Sequence, residues 1–421
     1  MFFDTLVVRG KCPPGCNACV EVCPQKGSDG LAAIRIVNST SEAGFRTVSV
    51  CNQCSQPECA AACPNEAIAR NSQGVVVVNQ DLCTGCGSCE EACPYGGIYC
   101  DGTTGLAYKC DYCGGQPRCV EACPHGVLAF MRSRPVVGYL QEDLLSPGLP
   151  FCAGCPAELA VRFTVRVLGR NIIMFGAPSC TLLAGRAKLP YYGCLMTNVP
   201  SSMTGVSRYL RRCGSDAICV SFVGDGTTAD VGFQPLSGAA ERGERILHIC
   251  YDNEAYMNTG IQRSSTTPPG AWTTTTQVGP HDGGKTGPSK YVPLLMALHG
   301  VAYAATAAVS HLEDYAAKLL KAKAATERGM AYLHLFTPCP TGWRARIEDG
   351  IELSRLAVET NYFPLWEWED GSLRFSAPVE RPRPLEEFVR LQGRFAHLSE
   401  EDIARLKEVT DSRITLLKKL A

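Results

Sequence analysis

The hydrophobic pattern of the chain changes at about residue 150. Beyond that point, apolar runs of strand length alternate with segments of helical periodicity. The predicted strands cover residues 171–175, 217–223, 245–251 and 330–336, and the clearest predicted helices cover 156–168, 233–242 and 312–327. This alternation predicts an α/β domain built on a doubly wound, mostly parallel sheet.

The first 131 residues are instead short segments interrupted by Cys, Pro and Gly. Residues 31–37 and 45–50 alternate between apolar and polar positions and predict a β-hairpin. Residues 264–290 hold few core-forming side chains and predict a long loop, either functional or disordered. The predicted organisation is a small α+β domain at 1–131, a linker at 132–150, an α/β domain at 151–376 and a helical tail at 377–421 that could wrap a neighbouring subunit.

Composition describes an ordinary globular protein, with 45% hydrophobic and 19% charged residues. A net charge of -1 gives no reason to expect nucleic acid or an anionic membrane as a partner. No apolar run approaches the roughly 18 residues of a membrane-spanning helix. The N-terminus lacks a basic region followed by an apolar core, so we expect a cytoplasmic protein without a secretion signal.

Cysteine is the exception to this ordinary composition. The chain has 25 cysteines, and 17 of them precede residue 124. Such a density predicts either a disulfide scaffold or a metal-binding framework. Because nothing in the sequence indicates export to an oxidising compartment, metal ligands are the favoured interpretation.

Four groups of cysteines share one design, in which three closely spaced residues precede a Cys-Pro pair. The groups are Cys12, Cys16, Cys19 and Cys23; Cys51, Cys54, Cys59 and Cys63; Cys83, Cys86, Cys89 and Cys93; and Cys110, Cys113, Cys119 and Cys123. Three thiolates on a tight loop can bind three corners of a [4Fe-4S] cluster, and the fourth then binds a second cluster, so that groups work in pairs. Zinc is the rival, although its sites need two Cys pairs rather than this triplet. Cys100 lies outside the repeat and is interpreted as a buried thiol.

With the predicted hairpin, these groups resemble the four-cluster ferredoxin subunits of molybdoenzymes and formate hydrogenlyases. In that family the inner groups pair with each other, and so do the outer groups. The resemblance therefore implies four clusters, held by Cys51, Cys54, Cys59 and Cys93; by Cys83, Cys86, Cys89 and Cys63; by Cys12, Cys16, Cys19 and Cys123; and by Cys110, Cys113, Cys119 and Cys23.

A second motif lies where two predicted strands end. Gly224, Asp225 and Gly226 follow one strand, and Asn253 follows the next after the 26-residue spacing of a thiamine diphosphate site. Glycines let the backbone approach a diphosphate at a strand-to-helix turn, where helix N–H groups favour an anion. Asp225 and Asn253 supply oxygen ligands that suit Mg2+. The simpler alternative is a glycine turn followed by an unrelated loop residue.

The stretch from 224 to 276, together with FCAGC at 151 and PCPTGW at 338, resembles the β subunits of pyruvate:ferredoxin and related 2-oxoacid:acceptor oxidoreductases. The resemblance implies that Asp225, Asn253 and the carbonyl of Ala255 bind Mg2+, and that Asn258 lies near the thiazolium and the substrate. It also implies a fifth [4Fe-4S] cluster beside the cofactor, held by Cys152, Cys155, Cys180 and Cys339. The family usually has Gly-Glu after the second of these cysteines, whereas this chain has Pro-Ala-Glu.

The implied function is the oxidative decarboxylation of a 2-oxoacid, with pyruvate as the default and phenylglyoxylate as an aromatic option. The resemblance further implies an α subunit that brings the Glu facing the aminopyrimidine, a γ subunit, coenzyme A as co-substrate, and either ferredoxin or a flavin subunit reducing NAD as acceptor. Two alternatives stay open at this point. One is a thiamine decarboxylase or synthase without redox chemistry, and the other is a non-catalytic iron–sulfur electron-transfer subunit.

Overall fold

The computed structural model describes residues 3–8, 12–38, 46–54, 57–71, 74–133, 142–180 and 188–421. The chain forms two compact units, Met1–Gly138 and Tyr139–Ala421, called unit 1 and unit 2 below. No helix in the described ranges combines the length and the apolar character needed to cross a membrane.

Within its described residues, unit 1 consists of antiparallel strand pairs and one-turn helices. The strands are β1 (Phe3–Val8), β2 (Ile34–Asn38), β3 (Arg46–Val50), β4 (Ile68–Arg70), β5 (Val76–Val78), β6 (Ile98–Cys100), β7 (Ala107–Lys109) and β8 (Leu128–Ser133), and the helices are α1 (Ala18–Glu21), α2 (Glu58–Ala61), α3 (Ser88–Glu91) and α4 (Arg118–Glu121). The pairs are β1 with β8, β2 with β3, β4 with β5, and β6 with β7. The predicted hairpin is confirmed as β2 and β3, although residue 45 lies outside the described residues.

The one-turn helices follow directly from the cysteine motif. In the third group, Gly87 adopts φ 80°, a left-handed value that suits glycine, and α3 begins at the next residue. The helix ends before Cys93-Pro94, because proline has no N–H and cannot continue it. Helix α1 contacts α4, and α2 contacts α3, so the outer groups pack together and the inner groups pack together.

Unit 2 contains an eight-stranded sheet in the order β10-β9-β11-β12-β14-β13-β15-β16. The strands are β9 (Ile172–Gly176), β10 (Tyr191–Gly193), β11 (Ile218–Gly224), β12 (Ile246–Asp252), β13 (Tyr303–Ala308), β14 (Ala331–Phe336), β15 (Leu365–Glu369) and β16 (Ser372–Ala377). All neighbours from β10 to β13 are parallel, and β15 and β16 add an antiparallel edge. The predicted mostly parallel α/β fold is confirmed.

The helices of unit 2 are α5 (Pro156–Leu168), α6 (Val199–Arg212), α7 (Phe233–Glu241), α8 (Val292–Leu298), α9 (Leu312–Ala325), α10 (Pro340–Trp343), α11 (Gly350–Glu359), α12 (Leu385–Val389) and α13 (Glu400–Leu420). The four predicted strands and three predicted helices of this unit are present. Strand β13 was not predicted, because its sequence YAATAA is rich in alanine, which strands disfavour. It is nevertheless fully buried between β14 and β15.

The C-terminal tail packs on the core of its own unit. Phe388 of α12 stacks with Tyr362 at 4.6 Å between ring centroids, and Leu417 of α13 is completely buried. The tail is thus a structural part of unit 2 rather than an arm reserved for a neighbouring subunit. Likewise, the end of the predicted linker buries Leu144 and Leu149.

Adjacent leucines on α13 test this packing. Leu417→Ala removes a side chain with no exposed surface, and we expect a loss of about 2–5 kcal/mol in the free energy of unfolding. Leu416→Ala, at a position 47% exposed, should change it by less than about 0.5 kcal/mol. The measurement is the denaturant midpoint of the purified chain for each variant. Equal midpoints would contradict the packing of the tail.

Candidate functional site

The glycine motif lies at the carboxyl edge of the parallel sheet. Strand β11 is buried along its whole length and ends at Gly224, opposite Tyr251 of the neighbouring parallel strand β12. A π-helical turn, Gly226–Val231, follows at once and leads into α7. Because parallel strands end at the same edge of a sheet, Asp225 and Asn253 meet there. The backbone N–H groups of the turn favour an anion at this position.

The side-chain amide of Asn253 faces two oxygen atoms at this edge. It lies 3.1 Å from Oδ1 of Asp225 and 2.9 Å from the carbonyl oxygen of Ala255, and its NH2 group donates a hydrogen bond to each. Rotating the amide would present its oxygen to the same two atoms instead. A cation would favour the oxygen-facing orientation. The donor set therefore fits a hard metal ion.

Asp225 is only 1% exposed, and its surroundings are strongly negative. Burial raises the pKa of its carboxyl, and the carboxylate of Asp252 raises it further. The Thr266 hydroxyl lies within hydrogen-bond distance of both, 3.0 Å from Asp225 Oδ2 and 2.9 Å from Asp252 Oδ1. Asp252 also pairs with Nε2 of His334 at 2.8 Å. A cation at the three oxygens would relieve the repulsion between the two carboxylates.

The loop between Asn253 and Ala255 is held by a buried ion pair. Glu254 has φ 60°, an uncommon value for a residue with a side chain, and its carboxylate accepts hydrogen bonds from Arg394 at 2.5 Å and Tyr362 at 2.6 Å. Burial raises the pKa of Glu254, and the Arg394 guanidinium opposes that rise. The anchored carboxylate thus holds the loop that carries Asn253 and Ala255.

Tyr256 covers the glycine turn. Its hydroxyl donates to the carbonyl of Gly226 at 3.1 Å, and a Cβ added to Gly226 would lie 2.4 Å from its ring. The cavity beside the turn is lined by Gly224, Asp225, Gly226, Asn253, Ala255, Asn258 and Cys180, among others, and has a volume of about 30 Å³. Tyr256 lines this cavity as well, so its ring borders the position where a diphosphate would approach Gly226.

Four cysteines of unit 2 gather next to this cavity. Burial raises the pKa of the Cys180 thiol to about 12, and the nearby thiols of Cys339, Cys155 and Cys152 add to the rise. Cys155 precedes the first residue of α5, and Cys339 precedes the first residue of α10, where its sulfur accepts a hydrogen bond from the N–H of Gly342 at 3.4 Å. Cys180 lines the cavity as well, so the thiol group and the glycine turn are direct neighbours.

The inner cysteines of unit 1 surround two cavities, in the combinations that the ferredoxin resemblance implies. Cys51, Cys54, Cys59 and Cys93, called the Cys51 set, line a cavity of about 210 Å³. Cys83, Cys86, Cys89 and Cys63, the Cys83 set, line the second cavity. Cys100 lines that second cavity too and hydrogen-bonds to Cys89, and its assignment as a buried thiol rather than a ligand stays a prediction.

The outer cysteines also meet in the implied combinations. In the Cys12 set, burial raises the pKa of Cys12, and the thiols of Cys16 and Cys123 raise it further. Burial also raises the pKa of Cys19, and the thiols of Cys12 and Cys123 add to that rise. In the Cys110 set, Cys119 interacts with Cys113 and Cys23, and Cys110 interacts with Cys119. No three His, Cys, Asp or Glu side chains in the described residues converge closely enough to hold a single metal ion.

Contacts between the sets give unit 1 a linear order. The thiol of Cys19 in the Cys12 set interacts with Cys119 of the Cys110 set. Cys110 in turn interacts with Cys51, and α2 of the Cys51 set contacts α3 of the Cys83 set. The order is therefore Cys12 set, Cys110 set, Cys51 set, Cys83 set.

Comparisons with known proteins agree with both halves of the chain. Residues 44–133 match a family model described as a 4Fe-4S dicluster domain, and residues 185–335 match the C-terminal TPP binding domain of thiamine pyrophosphate enzymes. Over 412 residues the chain is 41% identical to the NADH-dependent phenylglyoxylate dehydrogenase subunit beta of Aromatoleum evansii, covering 94% of this chain and 92% of that protein. The chain belongs to the β subunits of the 2-oxoacid:ferredoxin oxidoreductase family.

Further relatives match a shorter part of this β subunit. It is 46% identical to the pyruvate synthase subunit PorB of Methanothermobacter thermautotrophicus over 280 residues, which are 65% of this chain and 96% of that protein. It is 43% identical to the ketoisovalerate oxidoreductase subunit VorB of Pyrococcus abyssi over 300 residues, 66% of this chain and 94% of that protein. The resemblance to this family is confirmed, together with thiamine diphosphate binding and [4Fe-4S] clusters.

Sequence reasoning missed the residues that position the site of this β subunit. Arg394 reaches Glu254 across 140 residues of chain, and nothing in the motif indicates such a partner. The indole N–H of Trp343 donates to the carbonyl of Asn253 at 2.9 Å, and Arg394 stacks on the same indole at 3.7 Å. The one available signal was Glu254 itself, because a charged residue inside an otherwise buried segment requires a partner.

Removing Arg394 tests how far the site depends on it. Arg394→Met leaves the Glu254 carboxylate buried without a cation, and we expect a loss of about 3–5 kcal/mol in the free energy of unfolding. Arg394→Met with Glu254→Gln should recover part of this loss, because the unpaired charge is gone. Arg405→Met, which removes an exposed pair with Glu401, should cost about 1 kcal/mol or less. Denaturant midpoints compare the variants, and equal losses for Arg394→Met and Arg405→Met would contradict the argument.

Proposed function

We propose that this chain is the catalytic β subunit of a complex that oxidises an aromatic 2-oxoacid such as phenylglyoxylate. The products are the acyl-CoA and CO2, and each turnover releases two electrons. The choice of substrate rests on the share of this chain that each relative matches. The phenylglyoxylate dehydrogenase relative matches 94% of the chain, whereas the pyruvate and ketoisovalerate relatives match 65% and 66%. Pyruvate is the second candidate, supported by 46% identity to PorB.

The oxygen ligands of unit 2 support a magnesium site for the cofactor. The Asn253 side chain lies 3.1 Å from Oδ1 of Asp225 and 2.9 Å from the carbonyl oxygen of Ala255. With its amide oxygen turned to that side, these three groups would hold Mg2+, an ion that prefers oxygen ligands. When bound, thiamine diphosphate supplies the nucleophilic carbon and the electron sink for decarboxylation. The chain's own part is to hold the metal and the diphosphate, with Gly224 and Gly226 allowing close approach and Asn258 at the open side of the cavity.

The cysteine sets support five [4Fe-4S] clusters, four in unit 1 and one in unit 2. Each cluster takes four thiolates, and the five sets supply twenty. Cys152, Cys155, Cys180 and Cys339 would hold the unit 2 cluster beside the cofactor cavity, which Cys180 lines, so this cluster would supply the first electron acceptor. The clusters held by unit 1 would supply further one-electron carriers.

The rest of the active site comes from partners. Among the described residues that line the cavity, Asp225 is the single carboxylate, and it is assigned to the metal. The Glu that faces the aminopyrimidine therefore belongs to an α subunit, which also shapes the substrate pocket. The proposed complex also contains a γ subunit. Its electron acceptor is either a flavin subunit that reduces NAD or ferredoxin.

The substrate is tested by assaying the assembled complex with phenylglyoxylate, pyruvate and 2-oxoisovalerate, each with and without coenzyme A. We expect phenylglyoxylate to give the highest kcat/KM with NAD as acceptor, and turnover to require coenzyme A. Faster turnover of pyruvate would assign the chain to its second candidate. Activity without any bound thiamine diphosphate would contradict both.

The unit 2 cluster is tested by Cys180→Ala. We expect a loss of about one fifth of the iron, because one cluster in five loses a ligand, while thiamine diphosphate stays bound. Viologen reduction by the 2-oxoacid should fall below one hundredth of the wild-type rate. Cys194→Ala is the matched control, since Cys194 is buried in the hydrophobic core of the same unit. Unchanged iron content in Cys180→Ala would show that Cys180 is not a ligand.

A further inference from the structure

Unit 1 contains a buried lysine, Lys109, whose positive charge has no role in the ligand assignments above. Lys109 ends β7, is only 2% exposed and lines the cavity of the Cys51 set. Its Nζ donates to the backbone carbonyl of Val76 and, at 3.3 Å, to that of Cys110. In the described part of unit 1 no carboxylate lies within ion-pair distance of Lys109. A cation held by neutral carbonyls keeps its full electrostatic effect on its surroundings.

The surroundings of Lys109 are the thiols of one set. Lys109 shares its cavity with all four thiols of the Cys51 set. The half-buried Arg70 lies beside the same set, where its guanidinium donates a hydrogen bond to the carbonyl of Cys54. Among the described residues that line the cavity, Glu58 is the single acidic side chain, and it is exposed, so solvent screens its charge.

The other cations described beside the cysteine sets of unit 1 are more exposed than Lys109. The described lining of the Cys83 cavity contains no Lys or Arg. Arg46 beside Cys12 is half-buried and hydrogen-bonds to the exposed Asn17 side chain, and Arg118 beside Cys113 is exposed. Water screens both of these charges more than it screens Lys109. Charge near a cluster and its exposure to solvent are two of the factors that set a reduction potential.

We propose that Lys109 raises the reduction potential of the cluster in the Cys51 set. Electrons then collect at this cluster, which is the member of the inner pair that lies next to the outer pair. Reduction adds one negative charge to the cluster, and a buried cation stabilises the reduced state. The Cys51 set is third in the order of sets, next to the Cys110 set through Cys51 and Cys110. A 2-oxoacid releases two electrons that leave one at a time, and such a cluster stores the first while the second departs.

This assignment rests on the proposed iron–sulfur ligands, and the alternative for Lys109 is purely structural. Its ammonium joins β7 to the carbonyl of Val76 in β5, and a neutral donor could do the same. Gln53 already donates to both carbonyls through Nε2, at 3.2 Å to Val76 and 2.7 Å to Cys110. Charge, rather than hydrogen bonding, is therefore what distinguishes Lys109.

The test is a potentiometric titration of the full complex followed by electron paramagnetic resonance. Lys109→Gln keeps a hydrogen-bond donor and removes the charge, so iron content should stay at the wild-type level. One cluster signal should move to a more negative midpoint while the others stay in place. Lys109→Arg should restore that midpoint. Arg118→Met, the control at an exposed position beside Cys113, should shift its nearest cluster much less, because solvent screens that charge.

Two outcomes would overturn the proposal. One is an unchanged set of midpoints in Lys109→Gln at full iron content, which would leave Lys109 with a structural role. The other outcome is measured on the wild-type complex, so it tests the proposal even if the Lys109 variants lose a cluster. If the first electron added to the wild-type complex does not reduce a single cluster of higher potential, no storage site exists. Wild-type iron below four clusters in unit 1 would instead contradict the ligand assignment itself.

Discussion

The geometry of the cofactor site depends on the buried ion pair between Glu254 and Arg394. The Glu254 carboxylate is tied to the guanidinium, and the residue has a left-handed conformation between Asn253 and Ala255, whose side-chain amide and carbonyl meet beside Asp225. A buried pair of this kind contributes little net stability compared with apolar packing. Its contribution here is positional, since it fixes the loop that brings these polar groups together.

The same contacts tie the two kinds of chemistry in unit 2 to one scaffold. Arg394 stacks on Trp343, whose indole binds the carbonyl of Asn253, and Trp343 ends the short helix that begins directly after Cys339. The proposed magnesium ligand Asn253 and the proposed cluster ligand Cys339 are thus held by one packed group of side chains. A rigid connection of this kind suits electron transfer, because the distance between donor and acceptor stays constant.

Chemistry was more predictable from the sequence than packing. Cysteine spacing and the glycine motif are local, so they indicated the clusters, the cofactor and the family before any coordinates. Strand β13 was not predicted, because its burial in the centre of a sheet overrides the weak strand preference of alanine. The roles of Arg394 and Lys109 were not predicted either, because they depend on residues distant in sequence, Glu254 and the Cys51 set. The tail was misjudged because its charged surface hides buried positions such as Leu417.

The position of Tyr256 has a consequence for which residue can stand at position 226. Its ring lies so close to Gly226 that a Cβ there would be 2.4 Å from a ring carbon, and its hydroxyl holds the carbonyl of the same residue. The glycine is therefore required by the packing of the chain itself, in addition to any close approach of a diphosphate. A side chain at this position would displace the tyrosine even in the absence of cofactor.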